Sequence, residues 1–229
     1  NLGLIAGQLG DLNRARRAFD STLASNRAAG RREPAAANLI NLGNLSSLEG
    51  DYPGADARYR EALALYRAQG NRVDAASVLR ALGLLALQRG NYNQALDRFT
   101  EALGVYRQTG PVADEIDVRR EISLTHAAMG NLEGALIQLR RAEELAGRER
   151  PGPDQAAELA QLALAHADLA VQFNIYAEPE QHYARAEKLF REAGDSRGQA
   201  EAERGLANLF ALRSDSHGAL NRISLALRT

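Results

Sequence analysis

Residues 42–66 read LGNLSSLEGDYPGADARYREALALY, and residues 82–106 read LGLLALQRGNYNQALDRFTEALGVY. The two stretches lie forty residues apart and share their punctuation. Each opens on Leu-Gly, reaches a Gly-Asp-Tyr or Gly-Asn-Tyr turn eight positions on, and continues with Ala, an aromatic residue, Ala-Leu and Tyr. The turn glycine recurs as Gly10, Gly50, Gly90 and Gly130. After it, alanines recur at Ala15, Ala55, Ala95 and Ala135, and large apolar residues at Phe19, Tyr59, Phe99 and Leu139. Before it stand Leu2-Gly3, Leu42-Gly43, Leu82-Gly83 and Ile122-Ser123. A fixed period of this length, kept at so many positions, marks a repeat architecture.

Each unit reads as two helices. Leu39, Leu42, Leu45 and Leu48 form a helical stripe that ends at Gly50, a residue free to take positive φ at a helix C-terminus. Asp51 is placed to cap the next helix, and Pro53 suits its first turn. Ala55, Tyr59, Ala62, Leu63 and Tyr66 then form the inner stripe of that second helix, and Gly70-Asn71 closes the unit. The third unit repeats the grammar with Gly90-Asn91 and closes on Gly110-Pro111. Small residues at Gly43, Ala55 and Ala62 are what two closely packed helices require.

The later units drift. In the sixth, Ser214-Asp215 stands where Gly-Asp is expected, while Leu206, Ala207, Ala219, Ile223 and Ala226 keep the pattern. In the fifth, Leu162-Ala163 fits the Leu-Gly slot in unbroken register, and Tyr183, Ala186 and Phe190 of the second helix are displaced by four residues. That register puts the extra residues between Val171 and Pro179. A second register shifts the first helix instead, and both stay open at this level.

The composition excludes much. In 229 residues there is no Cys, hence no disulfide, no cysteine metal site and no thiol nucleophile. With 28 basic and 29 acidic side chains, there is no general pull toward nucleic acid or anionic membrane. No apolar run reaches the roughly 18 residues of a membrane span. Aromatics are only 5%, so the core depends on small side chains and close backbones. The basic residues are nearly all Arg, which together with abundant Ala points to a GC-rich, bacterial source.

The pattern of Leu-Gly, a turn at Gly-Asp-Tyr, then Ala, aromatic, Ala resembles the tetratricopeptide repeat (TPR). The unit is forty residues long rather than the usual thirty-four or so, and Leu39 or Leu79 replaces the family's usual first-helix Trp. The family's closing Pro is missing near Arg67 and Arg107. It is most similar to the long-repeat branch found in kinesin light chains, spindle-orientation adaptors, bacterial peptide-pheromone receptors and large bacterial signalling proteins. The resemblance implies an all-α, right-handed α-solenoid of about six units and twelve helices, each helix about 17 residues or ~25 Å. The units fall at residues 1–30, 31–70, 71–110, 111–150, 151–194 and 195–229 of a single domain.

The resemblance also implies that first-helix residues thirteen, ten, nine, six and three before the turn point into a concave groove. Two columns stand out there. Arginines recur ten before the turn, at Arg80, Arg120 and Arg204, and asparagines nine or six before it, at Asn41, Asn44 and Asn208. Leu84 and Leu124 add apolar contact. An amide both donates and accepts, so it can read a peptide main chain; a guanidinium can grip a carboxylate with two parallel bonds. Such a groove suits an extended peptide, acidic or C-terminal. Against this, Asp117 and Glu201 stand one turn before Arg120 and Arg204 and can neutralise them, whereas no carboxylate lies one turn from Arg80. Asn44 has the alternative role of a buried tie between neighbouring first helices.

Catalysis finds little support. His126, His166, His182 and His217 form no metal motif, and His126 and His166 share one repeat offset in the unbroken register. Glu143-Glu144 sit one turn from Arg140 and Arg141 as a solvated charge pattern. No phosphate-binding glycine loop, cofactor or metal is called for. The arginine doublets carry interspersed acids, so nucleic acid is not expected.

The reading is therefore a non-enzymatic protein-interaction scaffold, expected in the cytoplasm, whose partner is a protein or peptide. The alternatives are a sensory or regulatory segment of a larger bacterial signalling protein, and a self-assembling structural solenoid. Both follow from ends without caps: Asn1 falls inside a first helix, and Leu220, Ile223 and Leu227 would form an uncovered stripe near Thr229. A continuing parent chain or self-association would cover them.

Overall fold

The computed structural model describes residues 12–148, 151–173, 175 and 179–212. Among these there are ten α-helices and no strand. The two remaining helices of the expected twelve would lie in residues 1–11 and 213–229, outside the described residues. Contacts divide the chain into two compact units, Asn1–Pro111 and Val112–Thr229.

Unit 1 holds α1 (Leu12–Ala28), α2 (Arg32–Leu48), α3 (Tyr52–Ala68), α4 (Arg72–Gln88) and α5 (Tyr92–Thr109). Each packs on the next, most extensively within the pairs α2–α3 and α4–α5. The turns inside and between pairs share one backbone form at Gly30, Gly50, Gly70 and Gly90, while a side-chain cap is made at Asp51 and Asn71 and not at Arg31 or Asn91. At Gly50 (φ 78°) the chain enters the left-handed region, and the Asp51 N–H donates back to the Ser46 carbonyl at 2.8 Å. The Asp51 carboxylate then accepts the Gly54 N–H at 3.0 Å and caps α3, with Pro53 in the first turn. Asn71 does the same for α4, accepting from the Asp74 N–H at 3.2 Å.

Close packing explains the Leu-Gly motif. A Cβ on Gly43 or Gly83 would come within 2.5 Å of the ring of Tyr59 or Phe99. Both rings are buried, and Ala55, Ala62, Ala95 and Ala102 behind them are fully buried. Gly104, by contrast, sits within α5 with open space around it, at a cost of roughly 0.5–1 kcal/mol relative to Ala. Across successive second helices, Arg27 pairs with Glu61 and, forty residues on, Arg67 with Glu101 at 2.5 Å.

The unit boundary coincides with a different turn. Gly110 is extended (φ −90°, ψ 168°), because Pro111 disfavours the helical region for the residue before it.

Unit 2 holds α6 (Val112–Ala128), α7 (Leu132–Ala146), α8 (Pro153–Gln172), α9 (Pro179–Ala193) and α10 (Ser196–Leu212). Neighbours again pack in order, and the first helices α6, α8 and α10 also touch in sequence. The register of the fifth unit is settled here, in favour of the shifted first helix. Ile175 donates to the Ala170 carbonyl at 2.7 Å, as Asp51 does to Ser46, and the Tyr183 hydroxyl meets Asp168 as Tyr59 meets Asn44. Both matches fall at a single offset, so the pair keeps its internal spacing and the four extra residues precede it, in the α7–α8 connection and the longer α8. The placement between Val171 and Pro179 is thereby corrected.

In this register His166 no longer shares an offset with His126. It occupies the buried slot of Leu42, Leu82, Ile122 and Leu206. His166 is 8% exposed, and its Nε2 lies 3.4 Å from Glu143 Oε2, long for a hydrogen bond. Its ring stacks on His182 at 5.1 Å, and Arg185 binds the other oxygen of Glu143 at 3.1 Å. The His166 imidazole is the main influence holding the Glu143 carboxyl below the usual range; Arg185 and His182 add to it, and burial opposes it.

Two predictions follow from this packing. Gly83→Ala forces a methyl into the fully buried Phe99 ring and should cost about 1–3 kcal/mol, read as a lowered urea midpoint at unchanged slope. Because the Glu143 carboxyl is depressed in the folded state, its contribution is fully present above the ordinary glutamate range and is lost as pH falls through the folded value. Glu143→Gln should therefore be less stable than the parent at pH 7. The difference in melting temperature should shrink below about pH 4; a gap independent of pH would contradict the charge-based account.

Candidate peptide-binding face

The first helices position the candidate residues, because each buries its Leu-Gly stripe and turns the opposite stripe outward. In unit 1, α2 and α4 lie side by side, joined by a hydrogen bond from Ser47 Oγ to Gln88 Oε1 at 3.0 Å. Asn41, Asn44, Arg80 and Leu84 therefore belong to one unit's first-helix face. Asn41 is half-buried, and among the described residues nothing hydrogen-bonds its side chain. Leu84 is 36% exposed. Arg80 is half-buried and already engaged.

Asn44 is exposed, and its Oδ1 accepts the Tyr59 hydroxyl at 2.6 Å. The tie is thus within a helix pair, not between neighbouring first helices, and it leaves the amide NH2 to offer outward. Burial pushes the Tyr59 phenol up to about 12, so it remains a donor at any ordinary pH. The same pairing accounts for one position in four repeats. The residue six before the turn and the one nine after it are Asn44 with Tyr59, Leu84 with Phe99, Leu124 with Leu139, and Asp168 with Tyr183. In these four repeats a polar side chain stands there where a hydroxyl must be met, and Leu where none exists; Asn208 of the sixth unit, opposite Ile223 in the sequence pattern, does not follow this rule.

In unit 2, α8 joins α6 through Gln172 Nε2, which donates to the Ala127 carbonyl at 3.1 Å. Arg120 pairs with Asp117 at 3.0 Å and Arg204 with Glu201 at 3.5 Å, both within their own helices. Such pairs stabilise a helix by a few tenths of a kcal/mol, and they occupy the arginines. Leu124 is 50% exposed; Asn208 is exposed, with no hydrogen bond among the described residues. The unit-2 residues thus share a face of their own.

Sequence reasoning made no site assignment in the fifth unit and so missed Asp168, which stands in the column of Asn44. Burial raises its carboxyl above the usual range and Glu201 acts the same way, while the Tyr183 hydroxyl bond and Arg204 oppose them. The fifteen-residue spacing shared with Asn44 and Tyr59 is the signal that could have found it.

No group of His, Asp and Glu among the described residues is arranged to hold a metal ion, and no helix among them is long and apolar enough to cross a membrane.

The family model for the tetratricopeptide repeat matches residues 34–108 and 74–148. The chain belongs to the tetratricopeptide repeat family. Comparison with curated proteins gives no match. Among solved structures, this TPR chain is similar to BtubC (BKLC) from P. vanneervenii, 17% identical over 94% of this chain and 89% of that one, with a TM-score of 0.78. It is also similar to a Rap protein complexed with competence and sporulation factor, at 14% identity, 86% and 53% coverage and a TM-score of 0.71. A third is NprR in complex with its cognate peptide NprX, at 13% identity, 95% and 63% coverage and a TM-score of 0.66. At such identities the likeness is one of fold.

The Asn44–Tyr59 tie can be weighed by a double-mutant cycle. Tyr59→Phe alone should cost about 0.5–1.5 kcal/mol. Tyr59→Phe with Asn44→Leu, which recreates the Leu84 and Phe99 combination, should recover most of it. A coupling indistinguishable from zero in urea unfolding would refute the tie.

Proposed function

We propose that this TPR protein is a non-enzymatic scaffold that holds an extended peptide against its first-helix face. The observation that carries the reading is amide capacity in unit 1 that no described residue takes up. The Asn41 side chain and the Asn44 NH2 stand on the same face as Leu84, which offers a donor–acceptor pair and an apolar contact at once. Asn208 and Leu124 offer the same two side-chain types on the first helices of unit 2, on α10 and α6 with α8 between them. Similarity of fold to NprR, solved with its cognate peptide NprX, and to a Rap protein complexed with competence and sporulation factor supports the same use.

The arginine column contributes less than the amide column. Arg120 and Arg204 already hold carboxylates and Arg80 is engaged as well, so preference for an acidic or C-terminal segment would require one of them to exchange its partner. A groove that reads main chain, with modest charge selection, is the form the geometry favours. A second reading, that peptide capture here serves sensing within a larger bacterial signalling protein, draws on the likeness to the quorum sensor NprR from B. thuringiensis.

Screening the full chain on a peptide array, then titrating the best ligand by calorimetry, tests the proposal. Asn41→Ala combined with Leu84→Ala should weaken binding about tenfold or more, equivalent to ~1.4 kcal/mol, without lowering the melting temperature. Affinity unchanged in that variant would overturn it.

A further inference from the structure

Unit 1 also carries a crevice lined by none of the binding-face residues. It opens where the end of α3, the start of α4 and the last turns of α5 meet, with a volume of about 220 Å3. Its floor is apolar, made by Ala75, Ala76, Leu79 and Val105. That volume lies below the roughly 300–1,000 Å3 of pockets for drug-sized ligands, so it suits a small apolar group such as a short branched chain.

The rim is cationic. Arg67 of the lining and Arg98 outside it both converge on Glu101, at 2.5 and 3.7 Å, so that single carboxylate is doubly matched. Arg72, the second guanidinium of the lining, donates to the neutral Gln108 amide at 3.0 Å, and no carboxylate among the described residues pairs with it. Exchanging a neutral acceptor for a carboxylate strengthens a guanidinium hydrogen bond and gives it two parallel contacts.

The preceding repeat supplies a reference. Forty residues earlier, Arg27, Arg32 and Glu61 occupy the rim positions, and Ala35, Ala36 and Leu39 the floor. The fourth floor residue there is Leu65, where this crevice has the shorter Val105. Beside Val105, on the α5 face that also bears Glu101 and Gln108, stands Gly104. No close neighbour and no left-handed backbone requires a glycine there. Bare helix backbone at the mouth of a crevice is what allows the main chain of a ligand to approach closely.

We infer that this crevice binds a short branched aliphatic chain ending in a carboxylate. The chain lies on the Ala75, Leu79 and Val105 floor, and Arg72 takes the carboxylate in place of Gln108. Two sources carry that chemistry: a small free acid, and the C-terminal leucine of a polypeptide. The site is independent of the first-helix face, and substitutions at Asn41 or Leu84 leave it intact.

The test uses the full chain with three probes: 4-methylpentanoate, a pentapeptide ending in leucine with a free carboxylate, and the same peptide amidated. Methyl signals of Leu79 and Val105 should shift saturably with the first probe, the second, or both. The free acid alone binding identifies a small-molecule site; the peptide binding identifies a chain terminus. Amidation should weaken the peptide at least tenfold. Val105→Leu, which installs the residue of the preceding repeat, should weaken binding at least tenfold at unchanged helical content, and Arg72→Gln should do the same by an independent route. Gly104→Ala should raise the melting temperature while weakening the peptide more than the free acid. Saturable shifts from neither carboxylate probe, equal binding of the amidated peptide, or unchanged binding in both Val105→Leu and Arg72→Gln would overturn the inference.

Discussion

The contact between a glycine and an aromatic ring sets the geometry of the pairs in unit 1. Gly43 faces Tyr59 and Gly83 faces Phe99, with the rings lying where a methyl group would otherwise stand. The missing Cβ brings the helices of a pair close enough for Ala55, Ala62, Ala95 and Ala102 to be fully buried. A core of alanines buries little area per residue, so it depends on tight, regular contact more than on large side chains. The low aromatic content then follows: a few rings per repeat suffice when backbones are this near. α9 and α10 meet in the same manner, with Gly205 against Tyr183 and Gly198 against Phe190.

What the sequence made legible was whatever lies within one repeat. Gly50, Asp51 and Pro53 announce the turn because each serves a local need: positive φ, an orphan N–H, and a first helical turn. Those needs do not depend on tertiary context, and the helices fall where the punctuation places them. The fifth unit was ambiguous because Asn174 replaces the turn glycine, and Leu162-Ala163 mimics the Leu-Gly motif by composition alone. Only hydrogen bonds that cross the pair, such as Tyr183 to Asp168, separate the two registers.

The binding face was less legible for a related reason. A periodic column says that a position faces outward but not which polar atoms are already occupied. Asn44 and Asn41 look equivalent in sequence, yet one meets a tyrosine hydroxyl and the other meets nothing among the described residues. Arg120 and Arg204 could be discounted from sequence, since their acidic neighbours lie one turn away. The engagement of Arg80 could not, because nothing within one turn of its own helix announces a partner. Unit 2 departs further, placing Glu143 and His166 where unit 1 has Leu63 and Leu82. Apolar pairs tolerate substitution and sliding, whereas a charged contact with a defined direction demands its partner.

The ion pairs between second helices carry a consequence for how such a chain grows. Arg27 meets Glu61, and Arg67 meets Glu101, so the first three repeats present the same complementary halves to one another, and the column ends there, where Arg107 and Arg141 hold the next positions. Each turn is likewise completed by residues of its own segment. Within those repeats a forty-residue stretch cut at equivalent points is thus a self-consistent cassette: duplicated or deleted in frame, its arginine still finds a glutamate and its turn still closes on its own carbonyls. Recombination between repeats can lengthen or shorten the array without new interfaces having to arise, and divergence of individual copies, as at Val105 or His166, then makes each interface particular.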